Sequence, residues 1–140
     1  EEWINQRLKT IDIRKEFTDE LKQKGIKDSK DFAILTNLLT KTWSGYTVKD
    51  YKKLKGLKKE NLRDNMTNME LVLNMLAETS ATEISKSKKE TGFEKTQESV
   101  KEGGNIAKSA REQLERKTGK QIISNKNATE MRRLNLGKKE

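Results

Sequence analysis

Residues Leu57–Ser85, LKKENLRDNMTNMELVLNMLAETSATEIS, form the densest apolar region of the chain, and the fold turns on how they are read. Inside them Thr67 is followed three residues later by Glu70. This is capping-box spacing: the threonine oxygen accepts from the Glu70 backbone N–H, and the glutamate reaches back to the Thr67 N–H. After the cap, Met69, Leu73, Leu76, Ser80 and Ile84 share one helical stripe, while Leu71 and Met75 fall on the opposite side. The first two turns are thus apolar nearly all round. They predict a central helix over about 68–89, buried between two layers.

Working upstream, residues 49–63 lead into this helix with Lys49, Lys52, Lys53, Lys55, Lys58, Lys59 and Arg63. Thr47 and Asp50 repeat the cap spacing and predict a short helix carrying Tyr51 and Leu54, closed by Gly56; 57–65 reads as another short helical piece. Asp28 opens a helix bearing Phe32, Ala33, Ile34, Leu35, Leu38 and Leu39 and finishing near Trp43, before a turn at Ser44–Gly45. Residues 2–24 read as the first helix, ended by Gly25. Its apolar stripe changes sides: Ile4, Leu8 and Ile11 make one face, and Ile13, Phe17 and Leu21 another about half-way round. Such a helix either sits between two neighbours or offers one half to another chain.

Downstream, Thr91 and Glu94 suggest a third capping box. The helix it opens carries Phe93, Val100, Gly104, Ala107, Ala110 and Leu114 and ends at Gly119. Gly103–Gly104 signals either close approach of two helices or a break; the apolar period resumes in phase after the pair, which favours a continuous helix. Residues 120–124 (KQIIS) read as a short extended piece. Ser124 or Asn125 is the expected cap of a last helix holding Ala128, Met131 and Leu134, followed by a frayed tail at 137–140.

Composition sets the frame for these elements. With 140 residues the chain is one domain's worth, and we expect a single helical domain over 1–136. Absence of proline and scarcity of aromatics predict an all-α, irregular multi-helix domain of about five to six helices. Only 31% of residues are hydrophobic against 38% charged, so a compact monomer would have a thin core. A homo-oligomer is the natural way to complete it, and Ile4, Leu8, Ile11, Ile13, Phe17, Leu21, Leu71 and Met75 are the candidate self-association and partner contacts.

The same composition narrows the chemistry. No histidine and no cysteine are present, which removes the commonest general base, thiolate nucleophiles and zinc-type ligand sets. Carboxylates are dispersed among lysines, and pairs such as Glu112 and Glu115 read as helix-surface ion pairs. The glycines match no phosphate-binding loop. We therefore expect no enzyme, no cofactor and no metal site. No apolar run approaches the ~20 residues of a membrane span, and cytoplasm is the expected compartment.

The net charge of +9 permits nucleic-acid binding, and the 49–63 cluster is the candidate surface, with Trp43, Tyr46 and Tyr51 near enough to stack bases. The plainer reading makes the lysines a solvated face over a packed Tyr51, Leu54 and Leu57. Arg63–Asp64 reads as a structural ion pair or cap. Arg132–Arg133 and Lys138–Lys139 make a basic tail.

Several stretches together resemble a known family: DFAIL at 31–35, YKKLKGLKKENLRDNM at 51–66, ELVL at 70–73, AETSATEISK at 77–86, KEGGNIA at 101–107, Ala110–Arg111 and TGKQIIS at 118–124. Their order and spacing resemble the C-terminal part of the DNA-damage-inducible protein D family, to which BRO-type prophage antirepressors are related. The resemblance covers about Glu2 to Ala128. It implies that a BRO-type domain normally precedes this region, consistent with a chain that does not open on methionine. It also implies a non-enzymatic regulatory role in the DNA-damage response or prophage induction, and supplies no catalytic residues.

The leading expectation is an interaction and oligomerisation domain that binds a protein partner such as a phage repressor. The alternative is direct nucleic-acid binding through the lysine cluster. A third combines them: modulation of a recombination protein on single-stranded DNA.

Overall fold

The computed structural model describes residues 2–139, with the side chains of Trp3 and of 134–139 excepted. It is all-helical: α1 (Glu2–Gln23), α2 (Ser29–Ser44), α3 (Val48–Leu54), a 3-10 turn (Arg63–Asn65), α4 (Asn68–Ser87), α5 (Phe93–Thr118) and α6 (Ala128–Lys139). No β-strand occurs among the described residues. The expected fold class and helix number are both found.

Local chemistry explains most of the boundaries. Thr67 and Glu70 form the full capping box at the start of α4, and the Thr47 side chain accepts from the Asp50 N–H at the start of α3. α1 ends in a Schellman motif: Gly25 has φ +93°, Ile26 N–H donates to the Leu21 carbonyl, and Leu21 and Ile26 are both buried. α3 ends the same way at Gly56, where Leu57 N–H donates to the Lys52 carbonyl.

Other expected ends differ. α5 starts after Gly92, without a side-chain cap, so Thr91 does not form a capping box. The Gly92 N–H instead donates to the Lys24 carbonyl, 2.8 Å away, which pins the start of α5 to the end of α1. Residues 57–62 are not helical, because side chains take the backbone donors: Glu60 accepts from the Lys58 and Lys59 N–H groups, and Asn61 from Arg63 and Asp64. Residues 120–124 form no ladder and run irregularly, with Ile122 and Ile123 half-buried against the core. The cap of α6 is Asn127, whose side chain accepts from the Glu130 N–H, in place of Ser124 or Asn125.

α4 is the centre of the bundle, packed against α5 most extensively, then against α1, with α2 lying across α5 and touching α4. Its deepest side carries Leu71, Asn74, Met75, Glu78, Ala81 and Thr82, all buried, whereas on the other stripe Leu73 is buried but Met69 is exposed and Leu76, Ser80 and Ile84 are half-buried. The expected burial between layers holds, but the deeper face is the one opposite the stripe that periodicity picks out first.

α5 is unbroken through Gly103–Gly104, as its apolar phase predicts. The two glycines face different neighbours. A Cβ on Gly103 would fall 2.4 Å from the Ala81 backbone nitrogen of α4; one on Gly104 would fall 2.8 Å from Thr42 of α2. The pair therefore lets α5 wedge between α2 and α4.

The core is supplied by Phe17, Leu21, Leu35, Leu39, Trp43, Tyr51, Leu71, Val100 and their neighbours. At roughly 1.5–3 kcal/mol per fully buried large apolar side chain, these contribute most of the favourable free energy. The low apolar content is met by burying polar residues in the single chain, among them Thr10, Glu20, Lys55, Glu70, Asn74, Glu78 and Ser85.

Candidate interaction surface

The seven basic residues of 49–63 do not form one surface. Lys49, Lys53, Lys58 and Lys59 are exposed, and Lys52 is half-buried. Lys55 is fully buried, so it is not a phosphate contact as the cluster led us to expect. Because Tyr51 and Lys55 are four residues apart, α3 turns both inward, and Leu54 is left on the outside. Arg63 is mostly covered as well; its Nη2 lies 3.3 Å from the buried Glu78. It does not pair with Asp64, which bonds Arg7 at 2.7 Å.

Nor do the nearby aromatics form a base-stacking platform. Trp43 and Tyr51 are buried against each other edge-on with centroids 6.3 Å apart, and Tyr46 packs on Tyr51 at 5.9 Å. The Trp43 indole N–H donates to Asn74 Oδ1 at 3.2 Å.

The expected self-association residues also divide. Phe17, Leu21, Leu71 and Met75 are covered by the chain's own helices and so are not free for a partner; Ile13 is half-buried. Ile4, Leu8 and Ile11 remain outside at 54%, 58% and 52% exposure. The inner stripe of α1 does not switch sides. It runs without interruption through Arg7, Thr10, Arg14, Phe17 and Leu21, and only its chemistry changes from polar to apolar. Arg7 bonds Thr10 and Asp64, and Arg14 bonds Thr36 and Glu78, so cations hold the first half of α1 down where apolar contacts hold the second. The aliphatic residues at positions 4, 8 and 11 therefore face away from the bundle.

Two buried carboxylates on α4, eight residues apart, organise these polar contacts. Glu70 Oε1 accepts from Lys55 Nζ at 2.8 Å and from the Thr67 N–H at 2.8 Å; Oε2 accepts from the Tyr51 hydroxyl and, at 3.4 Å, from the Ser124 N–H. Glu78 Oε2 accepts from Arg14 at 3.1 Å and Arg63 at 3.3 Å, and Oε1 accepts from Asn74 Nδ2 at 3.3 Å. Burial, and next the Glu70 carboxylate, push the Tyr51 phenol far above its ordinary value. Burial pulls Lys55 below the usual lysine range against the opposing effect of Glu70. Burial likewise leads the lowering of Arg63; Glu78 opposes it, and the like charges of Arg14 and Arg7 add to it.

Sequence reasoning identified Glu70 as a cap and missed it as a hub; Arg14 and Glu78 were missed entirely. The available signal was the run Glu70, Asn74, Glu78 at four-residue spacing inside the most apolar helix, where polar side chains must find partners.

Among the described residues, no group of three or more carboxylates is placed to hold a metal ion, and no helix is long and apolar enough to cross a membrane. A family model described as the DinD C-terminal domain matches residues 3–131. No curated protein and no solved structure matches the chain.

Proposed function

The chain belongs to the DinD C-terminal domain family of DNA-damage-inducible proteins, and on that premise we propose that it is a non-enzymatic interaction and oligomerisation module. It would hold copies of the protein together and engage a regulatory protein partner, of the repressor or recombination-protein kind, without making or breaking a bond. The observation that carries this reading is the outer face of α1. Three large aliphatic side chains at i, i+4 and i+7, each more than half exposed, form an apolar stripe, while the inner face of the same helix is already satisfied. The proposed kinship with BRO-type antirepressors rests on the sequence resemblance alone. Size-exclusion chromatography with light scattering tests the self-association: at micromolar concentration the mass should exceed the 16.2 kDa of one chain and fall to it in an Ile4→Glu/Leu8→Glu/Ile11→Glu variant. A monomeric unsubstituted chain overturns that part.

A second reading is supported by Lys49, Lys53, Lys58 and Lys59, four exposed cations within eleven residues of α3 and the loop after it. In this reading they contact nucleic-acid phosphates, with affinity falling steeply as salt rises. Their joint substitution by glutamate should abolish a gel shift; no shift at low salt with the unsubstituted chain removes the reading.

A further inference from the structure

We propose that the open pocket bordered by α1, α2, α3, the turn before α4 and Asn74 of α4 is a binding site for a phosphate monoester. Its volume is about 170 Å3, and the chemistry of its wall is carried by Arg14, Lys52, Arg63, Thr36, Thr40 and Asn61. Both guanidinium groups converge on a single oxygen of Glu78, at 3.1 and 3.3 Å. Lys52 has no carboxylate partner among the described residues. Three cations thus face one anion, and the neighbouring Arg7–Asp64 pair is already neutral in itself.

Donors are available as well as charge. Arg63 Nε is buried with no acceptor among the described residues, although a guanidinium offers five N–H groups in a rigid fork suited to phosphate oxygens. The Thr36 oxygen is taken by Arg14 at 2.8 Å, which leaves its hydroxyl hydrogen to donate. Asn61 Oδ1 accepts from Arg63 and Asp64 N–H groups, which fixes the amide and leaves its NH2 as a donor.

The excess of two positive charges matches a dianion better than a carboxylate. The volume lies below the roughly 300–1,000 Å3 of pockets that enclose whole drug-sized ligands. The site is therefore sized for the phosphate group and the atoms next to it, with the remainder of the ligand outside. Such a group belongs equally to a small phosphorylated molecule or to the terminal phosphate of a nucleic-acid strand. The site stands apart from the α1 outer stripe, so it does not depend on the self-association reading.

Isothermal titration calorimetry of the full chain with inorganic phosphate, at low ionic strength, tests this. We expect saturable one-to-one binding, with acetate at least about tenfold weaker. Lys52→Met should weaken phosphate binding about tenfold or more, and Lys41→Met, an exposed lysine of α2 next to Thr40 but outside the pocket, should leave it unchanged. Circular dichroism and thermal melting check that both variants keep the fold. A 5′-phosphorylated oligonucleotide that binds more tightly than both inorganic phosphate and its 5′-hydroxyl counterpart identifies a strand end as the source; equal affinity for inorganic phosphate and the phosphorylated strand identifies a small ligand. Absence of saturable phosphate binding, equal binding of acetate, or equal losses in Lys52→Met and Lys41→Met overturns the proposal.

Discussion

Lys55 Nζ lies 2.8 Å from Glu70 Oε1, and both side chains are fully shielded from solvent. The pair joins the end of α3 to the first turn of α4. Its surroundings are unequal: Glu70 has three further donors, whereas Lys55 has one further acceptor, the Lys126 carbonyl at 2.6 Å. Removing the anion strands a buried ammonium. Glu70→Gln should therefore cost about 3–5 kcal/mol, and Lys55→Met clearly less, because the carboxylate keeps its other hydrogen bonds. Urea unfolding of both variants and the double variant checks this, with the double variant costing less than the two single losses together.

Tyr51 gives the fold an alkaline limit. Its phenol is raised in the folded state, so the folded chain keeps that proton at a pH where the unfolded chain releases it. A group raised in this way contributes stability that is fully present below the unfolded value, about 10, and is lost as pH rises beyond it. The loss approaches about 1.4 kcal/mol per pH unit. Tyr51→Phe lacks this titration, so its stability should fall less steeply above pH 10, although it starts about 1.5–3 kcal/mol lower from losing a hydrogen bond to a charged acceptor. Lys55 titrates in the opposite sense in both proteins, since its lowered value makes stability rise with pH as the folded ammonium deprotonates first. The difference between wild type and Tyr51→Phe in pH-dependent urea melts isolates the tyrosine.

The glycine pair of α5 makes a sharper comparison. Alanine normally favours a helix interior over glycine by about 1 kcal/mol. At Gly103 the new methyl meets α4 backbone, which has no rotamer to change, and Gly103→Ala should cost at least about 3 kcal/mol despite the propensity gain. At Gly104 the obstacle is the Thr42 side chain, held by its hydroxyl bond to the Leu38 carbonyl at 2.7 Å. Gly104→Ala should cost about 1–3 kcal/mol, and Thr42→Ser should relieve only part of it, because serine loses Cγ2 but keeps the Cβ that also lies 2.8 Å away. Chemical denaturation of the three variants tests the order.

These contacts mark where the sequence was legible. Cap chemistry is local, so Thr47, Thr67, Gly25, Gly56 and Gly119 could be read from neighbours alone. The in-phase return of the apolar period at Ala107 and Ala110, after the glycine pair, likewise foretold a continuous α5. Inward cations were not legible. On α1 the apolar residues at 4, 8 and 11 point outward and Arg7 and Arg14 point inward, the reverse of the pattern that hydrophobic periodicity assumes. What turns those arginines inward is the pair of acceptors Asp64 and Glu78, more than fifty residues away in sequence, which no local window contains. Lys55 is concealed for the same reason, its partner Glu70 lying beyond the loop. Ile4, Leu8 and Ile11 stay exposed because their outward position follows from this inversion, and Lys55 and Arg63 of the lysine cluster are drawn inward by it.

Glu78 tests how far that inversion depends on one carboxylate. It balances Arg14 and Arg63 and orients Asn74, whose other end accepts the Trp43 indole N–H. Glu78→Gln keeps the shape and can still accept one hydrogen bond, but it leaves two neighbouring guanidinium groups without an anion. The expected cost is about 3–5 kcal/mol, the range for stripping one partner from a buried charge cluster. Because Arg14 is one of the groups holding down the first half of α1, the loss should be uneven. Hydrogen exchange should speed up in residues 5–14 and in the 61–66 turn before it does at Leu71 or Val100. Arg14→Met in the Glu78→Gln background should recover part of the stability by removing one stranded cation, while protection at the start of α1 stays low. Equal exchange in both halves of α1 would show that Arg7 and Thr10 hold the inner stripe without Glu78.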